Sequence, residues 1–340
     1  MHTSRAVLTA TALALCACAT SHPETMERPP ASAHPADALG AAVTAELDRL
    51  AREPTTREAV VVAIDPRTGA ILAMGGRANG ADAPELPLGR VYPSGSVAKV
   101  FTVAAALEAG VVTPRDSVSG ADYAVGGHTI EGNAKRPTLS IEDVLVYSSN
   151  VGASRVYEKL GKARLHDALA AFGFGARPAI DGAATGDLGD AATWSDETAT
   201  KIAYGAGLRA TAVQFAAAFA AVAAGGEWRA PTRGGAPSPA RRVMSAAHAA
   251  ELLRMMEGVV HRDDGTGTGA RVDGMRATGK TGTATFDEDE TTFAAFVGAV
   301  PADAPRLVVY VGVKTAARGY TGGTVAAPAF ARIVAGGFAR

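Results

Sequence analysis

Apolar residues recur along this chain with two periods, and the periods change in an ordered way. Leu39, Val43, Leu47 and Leu50 follow one another at spacings of four, four and three, which predicts one apolar stripe on a helix. Ala59 to Asp65 and Ala70 to Met74 are two apolar runs separated by Pro66-Arg67-Thr68-Gly69, the pattern of a β-hairpin. Residues 77–95 read as loop. From Ser96 to Ala109 the helical period returns, with Val100, Val103, Ala104 and Leu107 on one side. A mostly helical stretch follows from about 138 to 260, interrupted by a Gly/Pro-rich segment at 225–240. Three strand-like runs, Thr278–Thr285, Thr292–Val300 and Arg306–Val313, precede a last helix over Ala326–Phe338. The order predicts an α+β fold: one antiparallel sheet built from both ends of the chain, flanked by helices, with an inserted helical subdomain and a cleft between the two.

The amino-terminal residues break this pattern. Arg5 precedes a run of small and apolar residues, Ala6 to Thr20. That run is shorter than the roughly 20 residues a bilayer span needs, so residues 1–19 read as an export signal rather than a permanent anchor. The chain's two cysteines, Cys16 and Cys18, both lie here. Two readings stay open: loss of both on cleavage after Ala19, or lipidation of Cys18, since Leu15-Cys16-Ala17-Cys18 resembles a lipobox. Either way the folded part has no cysteine for a disulfide or a thiolate metal site. Residues 20–38, rich in Pro, Ala and polar residues, read as a flexible linker, with the folded domain at 39–340. The 340 residues are 47% apolar, enough for a full core, and the net charge of −1 offers no basic field for nucleic acid.

Three short motifs carry the candidate chemistry. Ser96-Val97-Ala98-Lys99 puts a hydroxyl and an amine at i and i+3, on one helix face. A serine needs a base, and a lysine serves as one only while neutral, which burial or a second cation brings about. Lys280 is the candidate second cation. In Ser148-Ser149-Asn150, alternate residues of a short loop point one way: Ser148 to pass a proton to a departing amine, Asn150 to hold an amide. In Lys280-Thr281-Gly282-Thr283, Lys280 offers charge to a carboxylate and Thr281 and Thr283 offer hydrogen bonds. Gly282 lets a substrate lie against the strand. The backbone N–H groups of Ser96 and Thr283 would form an oxyanion hole. Each motif alone is ordinary: a capping serine before a surface lysine, a turn, a polar strand. In this order they spell S-x-x-K, S-x-N and K-T-G, the signature of enzymes that attack a D-alanyl amide or a β-lactam with serine.

Rival patterns are weaker. Gly274 to Thr281 matches the phosphate-loop spacing of an NTPase, but no strong strand precedes it and Gly282, Thr283 and Thr285 would break a following helix. Gly265-Thr266-Gly267-Thr268-Gly269 has no strong strand leading into it. His261, Asp263 and Asp264 read as a solvated loop rather than metal ligands, and Asp287–Glu290 as a charged turn.

Beyond the motifs, the chain resembles the transpeptidase domain of class B penicillin-binding proteins. The resemblance covers residue 39 to the end. It includes Val61–Met74, Ser148–Gly152, Phe172-Gly173-Phe174-Gly175, Tyr204-Gly205-Ala206-Gly207-Leu208, Gly265–Thr268, Gly279–Ala284 and Phe296–Ala302. The motif positions 96, 148 and 280 are spaced as in that family. The resemblance implies a β-lactamase/transpeptidase-like fold and a peptidoglycan D,D-transpeptidase. Ser96 would take the acyl group of a stem peptide, with Lys99 as base and Ser148 as relay. Asn150 would hold an amide, Lys280 and Thr281 a carboxylate, and Thr283 the oxyanion. It implies no cofactor or metal, β-lactams as covalent inhibitors, a glycosyltransferase or other cell-wall partner, and an extracytoplasmic location. There are departures. Ser94 stands where the family usually has proline, only a tether precedes Leu39, and Ala176–Gly182 matches loosely. A D,D-carboxypeptidase, a β-lactamase, a β-lactam sensor and an idle scaffold would share the fold. A class A β-lactamase would need a deacylating glutamate in an E-x-x-L-N motif, and none stands between Asn150 and Lys280.

Overall fold

A computed structural model of the chain describes residues 35–234, 236–286 and 291–338. The export-signal and acidic-turn readings therefore lie outside the described residues, as does most of the linker. The first helix, α1 (Pro35–Ala51), begins before Leu39, so the linker reading overran its start by four residues. Its predicted stripe, Leu39, Val43, Leu47 and Leu50, is buried throughout.

The sheet gathers strands from both ends of the chain, as the pattern predicts. Its members are β1 (Thr56–Ile64), β2 (Ile71–Ala78), the two-residue β3 (Ala81–Asp82), β4 (Thr278–Phe286), β5 (Thr291–Val300) and β6 (Leu307–Thr315). Their order is β4-β5-β6-β1-β2-β3, antiparallel at every pairing. Strand alternation divides the core in two. Val60, Val62 and Ile64 face the helical layer. Ala59, Val61 and Ala63 face α1 and the carboxy-terminal helix Ala327–Gly337.

The central region holds six helices: α2 (Ala98–Glu108), α3 (Ile141–Val146), α4 (Asn150–Leu160), α5 (Lys162–Ala171), α6 (Asp196–Tyr204) and α7 (Ala212–Ala223), followed by α8 (Ala246–His261). Its core is continuous with that of the sheet: Phe101, Phe215 and Met255 belong to the same cluster as Val60 and Tyr310. Helix α7 is buried along its whole length, beneath a capping box of Thr211 and Gln214. The stretch read as loop at 77–95 contains the end of β2, β3, a short helix at Leu86–Gly89 and a strand, Val91–Pro93, which pairs with Arg209–Thr211. That pairing carries the chain directly into the nucleophile motif. Strand β4 lies at one edge of the sheet, which leaves its outer side to meet that motif.

Candidate active site

Ser96 lies in a single 3-10 turn, Gly95–Val97, that leads into α2. The sequence reading placed it in the α-helix proper. Gly95 has φ +47°, and a Cβ there would stand 2.7 Å from Thr283 N. Only glycine lets the turn lie against the Thr283 backbone in this conformation. The same contact surface explains Gly282. A Cβ on it would meet Ser94 O at 2.8 Å and Val97 Cγ2 at 3.1 Å. Gly282 thus makes room for the turn that carries Ser96.

Lys99 is fully buried and its Nζ has three neighbours. It lies 2.6 Å from Ser96 Oγ, 2.7 Å from Asn150 Oδ1 and 2.9 Å from Tyr204 O. Two of these are carbonyl oxygens, which only accept. A neutral amine has two N–H donors and one lone pair. The two carbonyls take both donors, and the lone pair is left facing the Ser96 hydroxyl. Burial, and after it the charge of Lys280, hold the Lys99 amine well below the usual lysine range. The expectation that Lys280 acts as the second cation agrees with this.

Ser148 and Asn150 do not sit in one loop. A capping box of Ser140 and Asp143 starts α3. The chain leaves α3 at Tyr147, and Ser148 takes a left-handed conformation, φ +58°. Ser149 then caps α4, its Oγ accepting from Gly152 N at 3.0 Å, and Asn150 is the first residue of that helix. A non-glycine residue held left-handed costs roughly 1–2 kcal/mol. Here that conformation sends the two side chains to different lysines. Asn150 Oδ1 accepts from Lys99, while Ser148 Oγ accepts from Lys280 Nζ at 2.9 Å.

Lys280 is also fully buried, and burial lowers its ammonium pKa to about 7. Besides Ser148 it reaches Thr281 O at 3.0 Å and Thr281 Oγ1 at 3.3 Å. Thr281 Oγ1 donates to Thr266 Oγ1 at 3.0 Å, and Thr266 Oγ1 donates to Val146 O at 3.2 Å. These hydroxyl protons run one way, so Thr281 Oγ1 can accept from Lys280. Among the described residues no acceptor takes the Ser148 hydroxyl proton. Thr283 is exposed, and its Oγ1 accepts from Gly322 N at 3.1 Å. All eight residues singled out in the sequence thus meet at one place: Lys99 gathers Ser96 and Asn150, Lys280 gathers Ser148 and Thr281, and Gly282 and Thr283 lie against the turn that carries Ser96.

The sequence reading missed three contributors. Tyr204 acts through its backbone carbonyl, which no side-chain pattern reveals. The signal for it was Gly205, which ends α6 in a left-handed conformation. Thr266 belongs to the glycine-rich segment set aside among the rivals. Ser94, noted only as a departure, is buried. Its Oγ donates to Gly205 O at 3.2 Å and its N–H to Leu208 O at 2.9 Å. Proline could make neither bond. The loop at 261–264 is not merely solvated either. His261 Nε2 accepts from Ala277 N at 3.1 Å and Asp264 Oδ2 from Tyr147 OH at 2.7 Å, which ties the residue before Ser148 in place. The phosphate-loop pattern runs into β4 instead of a helix, as its rejection requires. Among the described residues no three His, Cys, Asp or Glu side chains cluster to hold a metal ion.

Residues 59–335 match the family described as the penicillin-binding protein transpeptidase domain. The chain belongs to this family. It is 29% identical to a probable peptidoglycan D,D-transpeptidase PenA of Neisseria flavescens, over 86% of this chain and 78% of that one. It is 28% identical to the protein of the same name from Neisseria meningitidis serogroup A, over 86% of this chain and 53% of that one. The chain thus spans about half the length of several curated relatives it matches. Among solved structures, the apo transpeptidase domain of Burkholderia pseudomallei penicillin-binding protein 3 superposes with a TM-score of 0.78 at 29% identity. The match covers 87% of this chain and 92% of that one. The resemblance to class B penicillin-binding proteins and the α+β fold class are both borne out.

Proposed function

We propose that this chain is a peptidoglycan D,D-transpeptidase that works through an acyl-enzyme on Ser96. The observation that carries the proposal is the environment of Lys99: a buried amine with Asn150 Oδ1 at 2.7 Å, Tyr204 O at 2.9 Å and Ser96 Oγ at 2.6 Å, an arrangement that turns the lone pair of its neutral form toward Ser96. Ser96 Oγ attacks the carbonyl carbon of the penultimate D-alanine of a stem peptide and gives its proton to Lys99 Nζ. The carbonyl oxygen becomes an oxyanion, held by the backbone N–H groups of Ser96 and Thr283. As the C–N bond breaks, the leaving D-alanine amine takes a proton from Ser148, which is reprotonated through the lysines. Lys280, with Thr281, draws the terminal carboxylate, and Asn150 holds a substrate amide. An amine of a second stem then attacks the ester, gives up a proton to the same base, and frees Ser96 with a new amide cross-link.

β-Lactams acylate Ser96 in the same way and act as inhibitors. The proposal includes export by residues 1–19, with cleavage after Ala19 or lipidation of Cys18 as the two routes to a free or anchored enzyme. Cooperation with a glycosyltransferase or another cell-wall partner is part of the same reading. Among the described residues no helix is long and apolar enough to cross a membrane.

The test offers a stem-peptide thioester with and without a D-amino acid acceptor. Aminolysis exceeding hydrolysis supports a transpeptidase. Hydrolysis alone would make it a D,D-carboxypeptidase, and no turnover a sensor or scaffold.

A further inference from the structure

The carboxy-terminal end of α6 is tied to the nucleophile segment one carbonyl at a time. A helix leaves its last carbonyls without partners of its own. Two of them in α6 are satisfied locally. Lys201 O accepts from Gly205 N at 2.9 Å and Ala206 N at 2.8 Å, and Ile202 O accepts from Gly205 N at 3.2 Å. The next three carbonyls turn to another part of the chain. Ala203 O accepts from Thr102 Oγ1 at 2.7 Å, Tyr204 O from Lys99 Nζ at 2.9 Å and Gly205 O from Ser94 Oγ at 3.2 Å. Lys99 is thus the middle of three donors that meet three consecutive carbonyls. Ser94 and Thr102 are each 1% exposed, so their hydroxyl bonds are shielded from bulk water. Thr102 Oγ1 also lies 3.4 Å from Ala98 O, the usual acceptor for a threonine within its own helix, yet its shorter bond crosses to α6. On the other side, the Ser94 N–H donates to Leu208 O at 2.9 Å and adds a second tie to the same loop.

The placement matters because a lysine amine ends a flexible four-carbon stem, so its partners decide which way its lone pair points. Helix ends fray, and a carbonyl at a frayed end would orient nothing. Here Tyr204 O is clamped on both sides, through Ala203 O and Gly205 O. The same clamp keeps the negative end of the α6 dipole against Lys99, where it favours the ammonium formed as Ser96 gives up its proton. We propose that Ser94 and Thr102 are positioning residues for acylation, whose hydroxyls hold the end of α6 so that Tyr204 O keeps the Lys99 amine aimed at Ser96. The proposal rests on reading Ser96 as the nucleophile and Lys99 as its base.

The test measures acylation of the full chain by fluorescent penicillin over a range of concentrations, which separates the rate constant at saturation from the half-saturating concentration. Ser94→Ala and Thr102→Val each remove one hydroxyl and nearly keep the shape. Each should lower the saturating rate constant roughly 5–30-fold and leave the half-saturating concentration unchanged, because the base is misaimed while the penicillin still binds. Thr102→Ser restores the donor without the methyl group and should acylate within about 2-fold of wild type. Thr200→Val is the control for general damage to α6. Thr200 is also 1% exposed, but its Oγ1 donates to Asp196 O at 2.7 Å, at the far end of the helix. That variant should keep the wild-type rate constant even where its Tm falls. The saturating rate constant is first-order in the molecules that react, so a partly folded sample still reports it. A wild-type rate constant in Ser94→Ala or in Thr102→Val would overturn the positioning role. So would a Thr102→Ser protein as slow as Thr102→Val, an equal slowing in Thr200→Val, or a loss confined to the half-saturating concentration. All of these outcomes leave Ser96 as nucleophile. A wild-type protein that forms no adduct on Ser96 would bring down the functional reading, and the positioning role with it.

Discussion

Gly205→Ala perturbs the point where the nucleophile turn meets the carbonyl that orients Lys99. Gly205 has φ +106°, and an ideal Cβ there would stand 1.8 Å from Gly95 O and 2.4 Å from Gly95 C. Both neighbours are backbone atoms, so no side chain can swing aside. The left-handed conformation costs alanine roughly 1–2 kcal/mol. Forcing the turn and the end of α6 apart adds about 1–3 kcal/mol. The sum, about 2–5 kcal/mol, corresponds to a fall in Tm of roughly 3–8 °C for a domain of this size. The displaced atoms include Tyr204 O, which accepts from Lys99 at 2.9 Å, and the turn that carries Ser96. Misplacing a base by about 1 Å can cost on the order of 100-fold, so acylation by fluorescent penicillin should slow about 10–100-fold. Gly110→Ala is the control. Gly110 also has a positive φ, +65°, but nothing lies within 4 Å of its Cβ position. That variant should lose only the roughly 1–2 kcal/mol of the left-handed conformation and acylate at the wild-type rate. Calorimetry and stopped-flow labelling of the two variants separate strain from clash. A Gly205→Ala protein that melts and acylates like wild type would refute the packing argument and the positioning of Tyr204 O.

Other expectations follow from the same geometry. Lys280→Ala should slow acylation by benzylpenicillin roughly 10–150-fold, the worth of a charged hydrogen bond of about 1.5–3 kcal/mol. Because the Lys280 charge lowers the Lys99 pKa, the acid limb of the rate profile should move to higher pH in that variant, and an unmoved limb would count against the coupling. The penicilloyl adduct on Ser96 should persist for many minutes, since no E-x-x-L-N glutamate is present to activate water; rapid multiple turnover would make the protein a β-lactamase. Glu46 binds Arg332 and Arg49 and joins α1 to the last helix. Burial raises its carboxyl pKa, but the two arginines more than offset that, and the net value is below the ordinary one. A depressed folded-state pKa means the stabilisation is present above the unfolded value and lost as pH falls through the folded one. Glu46→Ala should therefore cost about 1–3 kcal/mol in urea melts at pH 7, with the gap from wild type closing below about pH 4; a gap that ignores pH would contradict the ion-pair account.

What the sequence revealed depended on whether side chains carried the signal. The α1 stripe, the hairpin around Pro66–Gly69 and the three carboxy-terminal strands were legible because burial imposes its period on side-chain type. The candidate site was legible because its groups are hydroxyls, amines and amides in fixed motifs. Backbone groups left no such mark, so the Tyr204 carbonyl and the packing of Gly282 against Ser94 and Val97 were invisible. Short strands were lost for another reason. Ser117–Ser119, paired with Thr138–Ser140, and Tyr123–Val125, paired with His128–Ile130, are three residues each and too brief to show a period. Ser148 showed the limit of local rules: a serine in a left-handed turn is held by Tyr147, Asp264 and Lys280, from segments more than a hundred residues apart.

The central claim is that Ser96 is made nucleophilic by a lysine whose pKa is held well below the usual range by burial and by the charge of Lys280. The most direct measurement is the rate of acylation by benzylpenicillin as a function of pH, with the adduct located by mass spectrometry of the digested protein. The expected result is a penicilloyl group on Ser96, absent in Ser96→Ala. Its rate of formation should already be high at neutral pH, with an acid limb far below the usual lysine value near 10.5, set by Lys99, and a basic limb at about 7, set by Lys280. A rate that climbs steadily toward pH 10, or an adduct on any other residue, would contradict it.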